Sequence, residues 1–151
     1  GSDQHDERGL YNEESENRVK MMDKRFKKLD MAAPEIPPLA MYGPLAAPLT
    51  IVAFGSTKMP ILDAMSRLSK EGVNVNFLQV HALNPFPNDK VAQVLKAAKK
   101  TLVIENNKLG QFEGLIREHT GLSVNEHFRK YDGRPFYPEE IVAKVKSLVT
   151  V

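Results

Sequence analysis

Three short apolar runs punctuate the chain, and each gives way to a polar turn followed by apolar positions at spacings of three and four. Thr50-Ile51-Val52-Ala53-Phe54 breaks at Gly55, Val75 to Val80 precedes a helical pattern from about Asp89, and Thr101-Leu102-Val103-Ile104 ends in Glu105-Asn106-Asn107. Runs of this length read as buried strands, and the longer period that follows each reads as an amphipathic helix. The alternation predicts an α/β domain with parallel strands near 50–54, 75–80 and 101–105, adjacent through right-handed crossovers. The first helix is predicted from Pro60, burying Ile61, Leu62, Met65 and Leu68 and stopping at Lys70-Glu71-Gly72. The second runs from about Asp89 on Val91, Val94, Leu95 and Ala98. The third runs from about Leu109 on Leu109, Phe112, Leu115 and Ile116, with Gly110 and Gly114 allowing close approach to the sheet, and stops at Gly121. A weaker outer strand around Val124 to Arg129, a turn at Asp132-Gly133 and a last helix from Pro138 complete the domain. Glu139 and Glu140 favour the first turn of that helix. Its buried stripe is Ile141, Val142, Val145, Leu148 and Val149.

The first third of the chain follows other rules. Residues 1 to 14 are polar and acidic without an apolar period, and predict an irregular or mobile lead-in. From Ser15, a candidate N-cap, the positions Val19, Met22, Phe26 and Leu29 form one stripe of a helix reaching Ala32. That stripe is expected to bury against the body or a partner. Ala33 to Pro48 holds five prolines and reads as an extended linker. The organisation is thus 1–48, comprising lead-in, amphipathic helix and Pro-rich linker, and 49–151, the α/β domain.

The absence of cysteine removes disulfides, thiolate catalysis and cysteine-held clusters from consideration, and is compatible with a cytoplasmic location. A formal charge of +2 on 151 residues is too small a field to argue for nucleic acid. No apolar run approaches the ~20 residues of a membrane span, and nothing at the start resembles a signal peptide. The opening Gly1-Ser2, without methionine, points to a piece of something longer.

Ligands of such domains bind at the carboxyl ends of strands, which directs attention to Gly55, Ser56, Thr57 and Lys58 and to Glu105, Asn106 and Asn107. Gly55-Ser56-Thr57-Lys58 lacks the glycine and Gly-Lys order of a nucleotide phosphate loop. A turn with hydroxyls capping the next helix competes with an anion contact there, and Glu105-Asn106-Asn107 equally suits a structural turn. Arg134, beside the Asp132-Gly133 turn, offers a guanidinium able to clamp carboxylate or phosphate. Four histidines show no ligand spacing, so no metal site is assigned. The basic run around Lys24-Arg25 and Lys27-Lys28 is balanced by acidic neighbours and reads as a solvated face. Neither a serine nucleophile elbow nor a dinucleotide fingerprint occurs.

Several motifs occur together in order: Ser2-Asp3-Gln4-His5-Asp6-Glu7-x-Gly9, Glu16-Asn17-Arg18-Val19, Lys24-Arg25 with Lys28, Phe54-Gly55-Ser56-Thr57-Lys58, Val75-Asn76-Phe77-Leu78-Gln79, Pro85-Phe86-Pro87, Glu105-Asn106-Asn107 with Gly110-Gln111, and Lys130-Tyr131-Asp132-Gly133-Arg134-Pro135-Phe136. Across almost the whole chain they resemble the carboxyl-terminal part of the alpha subunit of 2-oxoacid:ferredoxin oxidoreductases. The resemblance implies a three-layer α/β/α sandwich with a mainly parallel sheet, like the transketolase carboxyl-terminal domain. It also implies a full enzyme that oxidatively decarboxylates a 2-oxo acid on thiamine diphosphate and Mg, passes electrons through iron–sulfur clusters to ferredoxin and releases an acyl-coenzyme A. Its partners would be the beta subunit and upstream alpha or gamma domains, in an oligomer. The family's Gly-Asp-Gly before Asn-Asn is not reproduced, since Asp132-Gly133 follows Asn106-Asn107. No catalytic, cofactor-binding or metal residue is therefore assigned here, and the isolated chain is expected to be inactive. The loop residues become possible interface or anion contacts of a structural and assembly domain. Two other readings stand beside it: an independent anion-binding module using Ser56, Thr57, Asn106 and Arg134, and an interaction module docking through the first helix.

Overall fold

The computed structural model describes residues 4–37 and 39–149. The opening Gly1, Ser2 and Asp3 lie outside the described residues. Two compact units make up the chain, Gly1–Pro37 and Pro38–Val151.

In the first unit, helix α1 spans Ser15–Ala32, as the period predicts, but Glu14 rather than Ser15 holds the cap position and no side chain caps it. The lead-in is built rather than irregular. Asp6 N–H donates to Leu10 O at 2.7 Å and Asn12 N–H to Gln4 O at 2.8 Å. The Asp6 carboxylate accepts the Arg8 and Leu10 amides at 2.9 and 3.0 Å. This small loop is fastened to α1 by polar side chains: Asn17 Nδ2 donates to His5 O and Asn12 O, and Arg18 and Arg25 both donate to Gln4 Oε1. Glu7 pairs with Lys20 at 2.9 Å and Lys24 at 3.4 Å. Within this unit the lead-in covers a different face of α1 from the expected apolar stripe. Val19 and Phe26 are each 60% exposed, whereas Met21, aligned with Asn17, Lys24 and Arg25 by helical spacing, is buried. An apolar count misses this face because backbone groups of a loop are satisfied by polar partners.

The second unit begins with strand β1, Ala40–Tyr42, inside the stretch expected to be linker. It pairs antiparallel with the later β3, which moves the unit boundary ahead of the expected 48/49. Three residues among prolines are too few to show a strand period. There follow β2 (Thr50–Phe54), a 3-10 turn over Gly55–Thr57, α2 (Lys58–Lys70), β3 (Asn76–Val80), α3 (Asn88–Ala97), β4 (Thr101–Glu105), α4 (Gln111–Thr120), β5 (Glu126–Arg129) and α5 (Pro138–Leu148). Sheet order is β1-β3-β2-β4-β5, with every pairing parallel except β1 to β3. The expected parallel strands are all present and β5 forms the edge. β3 and β4, however, flank β2 rather than touching each other.

Two apolar layers sandwich the sheet. Ile51, Ala53, Phe77, Leu102 and Ile104 face Ile61, Ala64 and Leu68 of α2 and Ile141 and Val145 of α5. Val52, Leu78, Val80 and Val103 face Val91 and Leu95 of α3 and Phe112 and Ile116 of α4. The alternation of side chains along each strand supplies both layers, which is why these strands read as continuous apolar runs. The architecture is the three-layer α/β/α sandwich with a mainly parallel sheet expected from the sequence.

Candidate functional site at the carboxyl edge of the sheet

From β2 the chain moves through α2 toward β3, then reverses through α3 and α4 toward β4 and β5 on the opposite face. A constant crossover hand requires this change of face when direction reverses. The neighbouring strands β2 and β4 therefore send their following helices to opposite sides, leaving a crevice outside their carboxyl ends. The sheet also parts there. β2 and β3 pair over five residues, but β2 and β4 pair only from Thr50–Thr101 to Val52–Val103. The carbonyl of Phe54 is taken instead by the Thr57 hydroxyl, which donates to it at 2.7 Å.

A cleft of about 540 Å³ occupies this opening, lined by Ser56, Thr57, Pro60, Asn106, Lys130, Tyr131, Gly133, Arg134, Pro135 and Phe136. The structure thus brings together Ser56, Thr57, Asn106 and Arg134 from three separate loops. The wall contributed by 130–136 was legible in part: Asp132 to Phe136 stood out as a turn beside Arg134, but Lys130 and Tyr131 were not singled out as contacts. Their signal is that they directly follow an edge strand, which is where a parallel sheet presents ligand contacts.

The other candidates have structural posts. Gly55 opens the 3-10 turn at φ 62°. Lys58 is the first residue of α2, earlier than the expected start at Pro60, and its Nζ lies 5.4 Å from the Tyr42 ring centroid. Thr57 does not cap α2, since its hydroxyl serves Phe54. Glu105 is fully buried: its carboxylate accepts the Phe112 amide at 2.8 Å, the Glu113 amide at 3.4 Å and the Asn107 side-chain amide at 2.5 Å. Asn107 Oδ1 accepts the amides of Gly110 and Gln111 at 2.6 and 3.1 Å. A negative charge beneath a helix N-terminus meets the positive end of the dipole and satisfies amides lacking intrahelical partners. These two side chains thus start α4 at Gln111, and Leu109, expected on its buried face, is instead 78% exposed.

Gly110 takes the left-handed conformation at φ 72°, and a Cβ there would lie 2.5 Å from the Arg129 guanidinium of β5. Close approach is real at Gly110. Gly114 shows none, with no atom within 4 Å of an added Cβ.

On the cleft's second wall, Lys130 Nζ reaches both carboxylate oxygens of Glu140 at 2.7 and 2.8 Å and lies 4.8 Å from the Tyr137 ring centroid. The Lys130 hydrogen bond, then that from the Tyr137 amide, holds the Glu140 carboxyl below the usual carboxylate range. Arg134 is held at its backbone: its amide donates to Asp132 Oδ1 at 3.0 Å and its carbonyl accepts from Asn106 Nδ2 at 3.5 Å. Its guanidinium has no ion-pair partner among the described residues. Beyond the carboxyl ends of β2, β4 and β5, Met59 in the first turn of α2, Leu109 before α4 and Tyr131 after β5 are 68%, 78% and 64% exposed.

This arrangement defines a transketolase-like α/β/α domain. A split-gene transketolase shares the fold at a TM-score of 0.58 and 16% identity, over 75% of this chain and 41% of that one. Residues 47–141 match the family model of pyruvate:ferredoxin oxidoreductase core domain II, and the chain belongs to that family, as a domain of the 2-oxoacid:ferredoxin oxidoreductase alpha-subunit type. It is 38% identical over 149 residues to 2-oxoacid:ferredoxin oxidoreductase 2 subunit alpha of Aeropyrum pernix, covering 97% of this chain and 23% of that subunit. It is also similar to the 2-oxoglutarate:ferredoxin oxidoreductase of Magnetococcus marinus, solved with 2-oxoglutarate, coenzyme A and succinyl-CoA bound. That match has a TM-score of 0.77 and 31% identity, over 96% of this chain and 25% of that chain. The chain spans about a quarter of the length of these relatives.

Proposed function

We propose that the chain is a structural and assembly domain of a 2-oxoacid:ferredoxin oxidoreductase, presenting the carboxyl edge of its sheet to neighbouring parts of the enzyme. The observation that carries this is the placement of Met59, Leu109 and Tyr131. Each is a large apolar side chain left exposed a few residues beyond the carboxyl end of a parallel strand: Met59 in the first turn of α2, Leu109 just before α4 and Tyr131 just after β5, the last also lining the cleft. Apolar groups gathered on one face favour burial against another surface. In the complete enzyme the reaction is oxidative decarboxylation of a 2-oxo acid to an acyl-CoA with ferredoxin reduction, and the partners are the beta subunit and the remaining alpha or gamma domains, in a cytoplasmic oligomer.

The donor set of this chain does not fit the cofactors of that reaction. Iron–sulfur clusters are held by cysteine thiolates, and the sequence has no cysteine. Among the described residues no group of three or more His, Asp or Glu is arranged to hold the Mg of thiamine diphosphate. Holding the clusters and the Mg, and electron transfer with them, then fall to other parts of the enzyme, and this chain contributes by position. No helix among the described residues is long and apolar enough to cross a membrane.

The test is made in the complete enzyme, with Asn106→Ala and Tyr131→Ala. Each is expected to lower turnover or weaken subunit association, measured by steady-state assay and gel filtration, while the isolated chain keeps its melting profile. The isolated chain is expected to oxidise no 2-oxo acid. Wild-type turnover and intact assembly in both variants would leave these loops as turns alone.

A further inference from the structure

We infer that the switch-point cleft is a binding site for a small organic anion, one whose phosphate or carboxylate meets Arg134 and whose body rests on the Tyr131, Pro135 and Phe136 wall. Three observations point there together. The lining contains two cations and no Asp or Glu. Lys130 is already matched by Glu140, so its charge is spent inside the protein. Arg134 is different: both its backbone groups are fixed, by Asp132 and Asn106, while its guanidinium has no partner among the described residues. A guanidinium on an anchored backbone, itself left without a partner, presents a fork that matches the two oxygens of a carboxylate or phosphate.

The remaining polar groups complete the coordination of such an anion. Ser56 supplies a hydroxyl from the opposite wall, at the entry to α2, where the helix dipole favours negative charge. Lys108, 5.8 Å from the Tyr131 ring centroid, adds positive potential at the mouth. The volume of about 540 Å³ lies in the range of small-molecule sites, which combine apolar walls with a few convergent polar groups. Phe136, almost fully buried, and the rings of Pro60 and Pro135 provide those apolar walls.

The inference stands on the cleft and not on the assembly role, so the two fail separately: one is read in the complete enzyme, the other by direct titration of this chain. The probes are inorganic pyrophosphate and succinate, titrated at constant ionic strength and followed by amide shifts of Ser56, Asn106 and Arg134. Saturable shifts confined to these loops are expected, and Arg134→Gln should weaken them by roughly tenfold or more, the loss of a charge-assisted hydrogen-bonded contact. Lys99→Gln removes an exposed cation elsewhere and should leave the affinity unchanged. Tighter binding of pyrophosphate assigns the site to phosphoryl groups, and tighter binding of succinate to carboxylates. Absence of saturation at millimolar concentrations, or equal affinity in Arg134→Gln and wild type, would overturn the inference. Because the Arg134 side chain is exposed and unpaired, its replacement should leave the melting temperature unchanged, so lost binding is not lost folding.

Discussion

Glu105 and Glu140 are both carboxylates engaged at a helix N-terminus, and their surroundings give them different work. Glu105 is buried beneath the start of α4 and spends its oxygens on the Phe112 and Glu113 amides and on Asn107. Glu140 is half-exposed, pairs with Lys130 and accepts the Tyr137 amide at 2.8 Å. Its depressed pKa means that the unfolded chain binds the proton more tightly than the folded one. The stabilisation is therefore complete above the unfolded value of about 4.3 and is lost as pH falls through the folded value. Denaturant midpoints of wild type and Glu140→Gln should accordingly converge on acidification below about pH 4.3. Parallel curves through that range would refute the linkage. At this scale the sequence was a partial guide. Asn107 was legible as a turn residue, because its side chain acts on amides three and four positions ahead. Glu105 as a buried cap was not, since its burial depends on a helix seven residues further on reaching back over it.

Among the elements, the junction of β4 and α4 is the most tightly specified. Gly110→Ala should destabilise the domain by at least about 1 kcal/mol, since a left-handed backbone is strained for any residue with a Cβ and the added carbon meets Arg129. That guanidinium cannot swing away freely, because it is held by Glu113 at 2.5 Å. Gly114→Ala is the contrast: exposed in a helix interior with open space around it, it should stabilise by about 0.5–1 kcal/mol. Chemical denaturation of the two variants checks both signs. Helices were well read wherever their apolar face meets the sheet: α2, α3 and α5 all bury members of the expected stripes. α1 kept its expected span, yet its covered face is polar, because a loop held by hydrogen bonds carries no hydrophobic period. β1 went unseen for a related reason: its place is set by pairing with β3, a long-range choice that three local residues do not encode.

For the sheet unit as a whole, strand identity was legible because buried parallel strands are apolar on both faces. Strand order was not, because β3 and β4 are consecutive in sequence yet separated in space by β2. That order has a dynamic consequence. The ladder joining β1-β3-β2 to β4-β5 is three residue pairs long, against five between β2 and β3 and four between β4 and β5. The two halves are otherwise held by helices, α2 with α5 on one face and α3 with α4 on the other. Native proteins open in cooperative pieces along such weak joins before they unfold globally. Hydrogen–deuterium exchange should therefore release the Val52 and Ile104 amides ahead of those of Ile51 and Leu78, and a uniform rate across the sheet would argue against it. The domain would then behave as two rafts hinged at one line of amides, breathing at the end where the cleft lies, and any molecule lodged in that cleft would act as a wedge that sets how far the rafts stand apart.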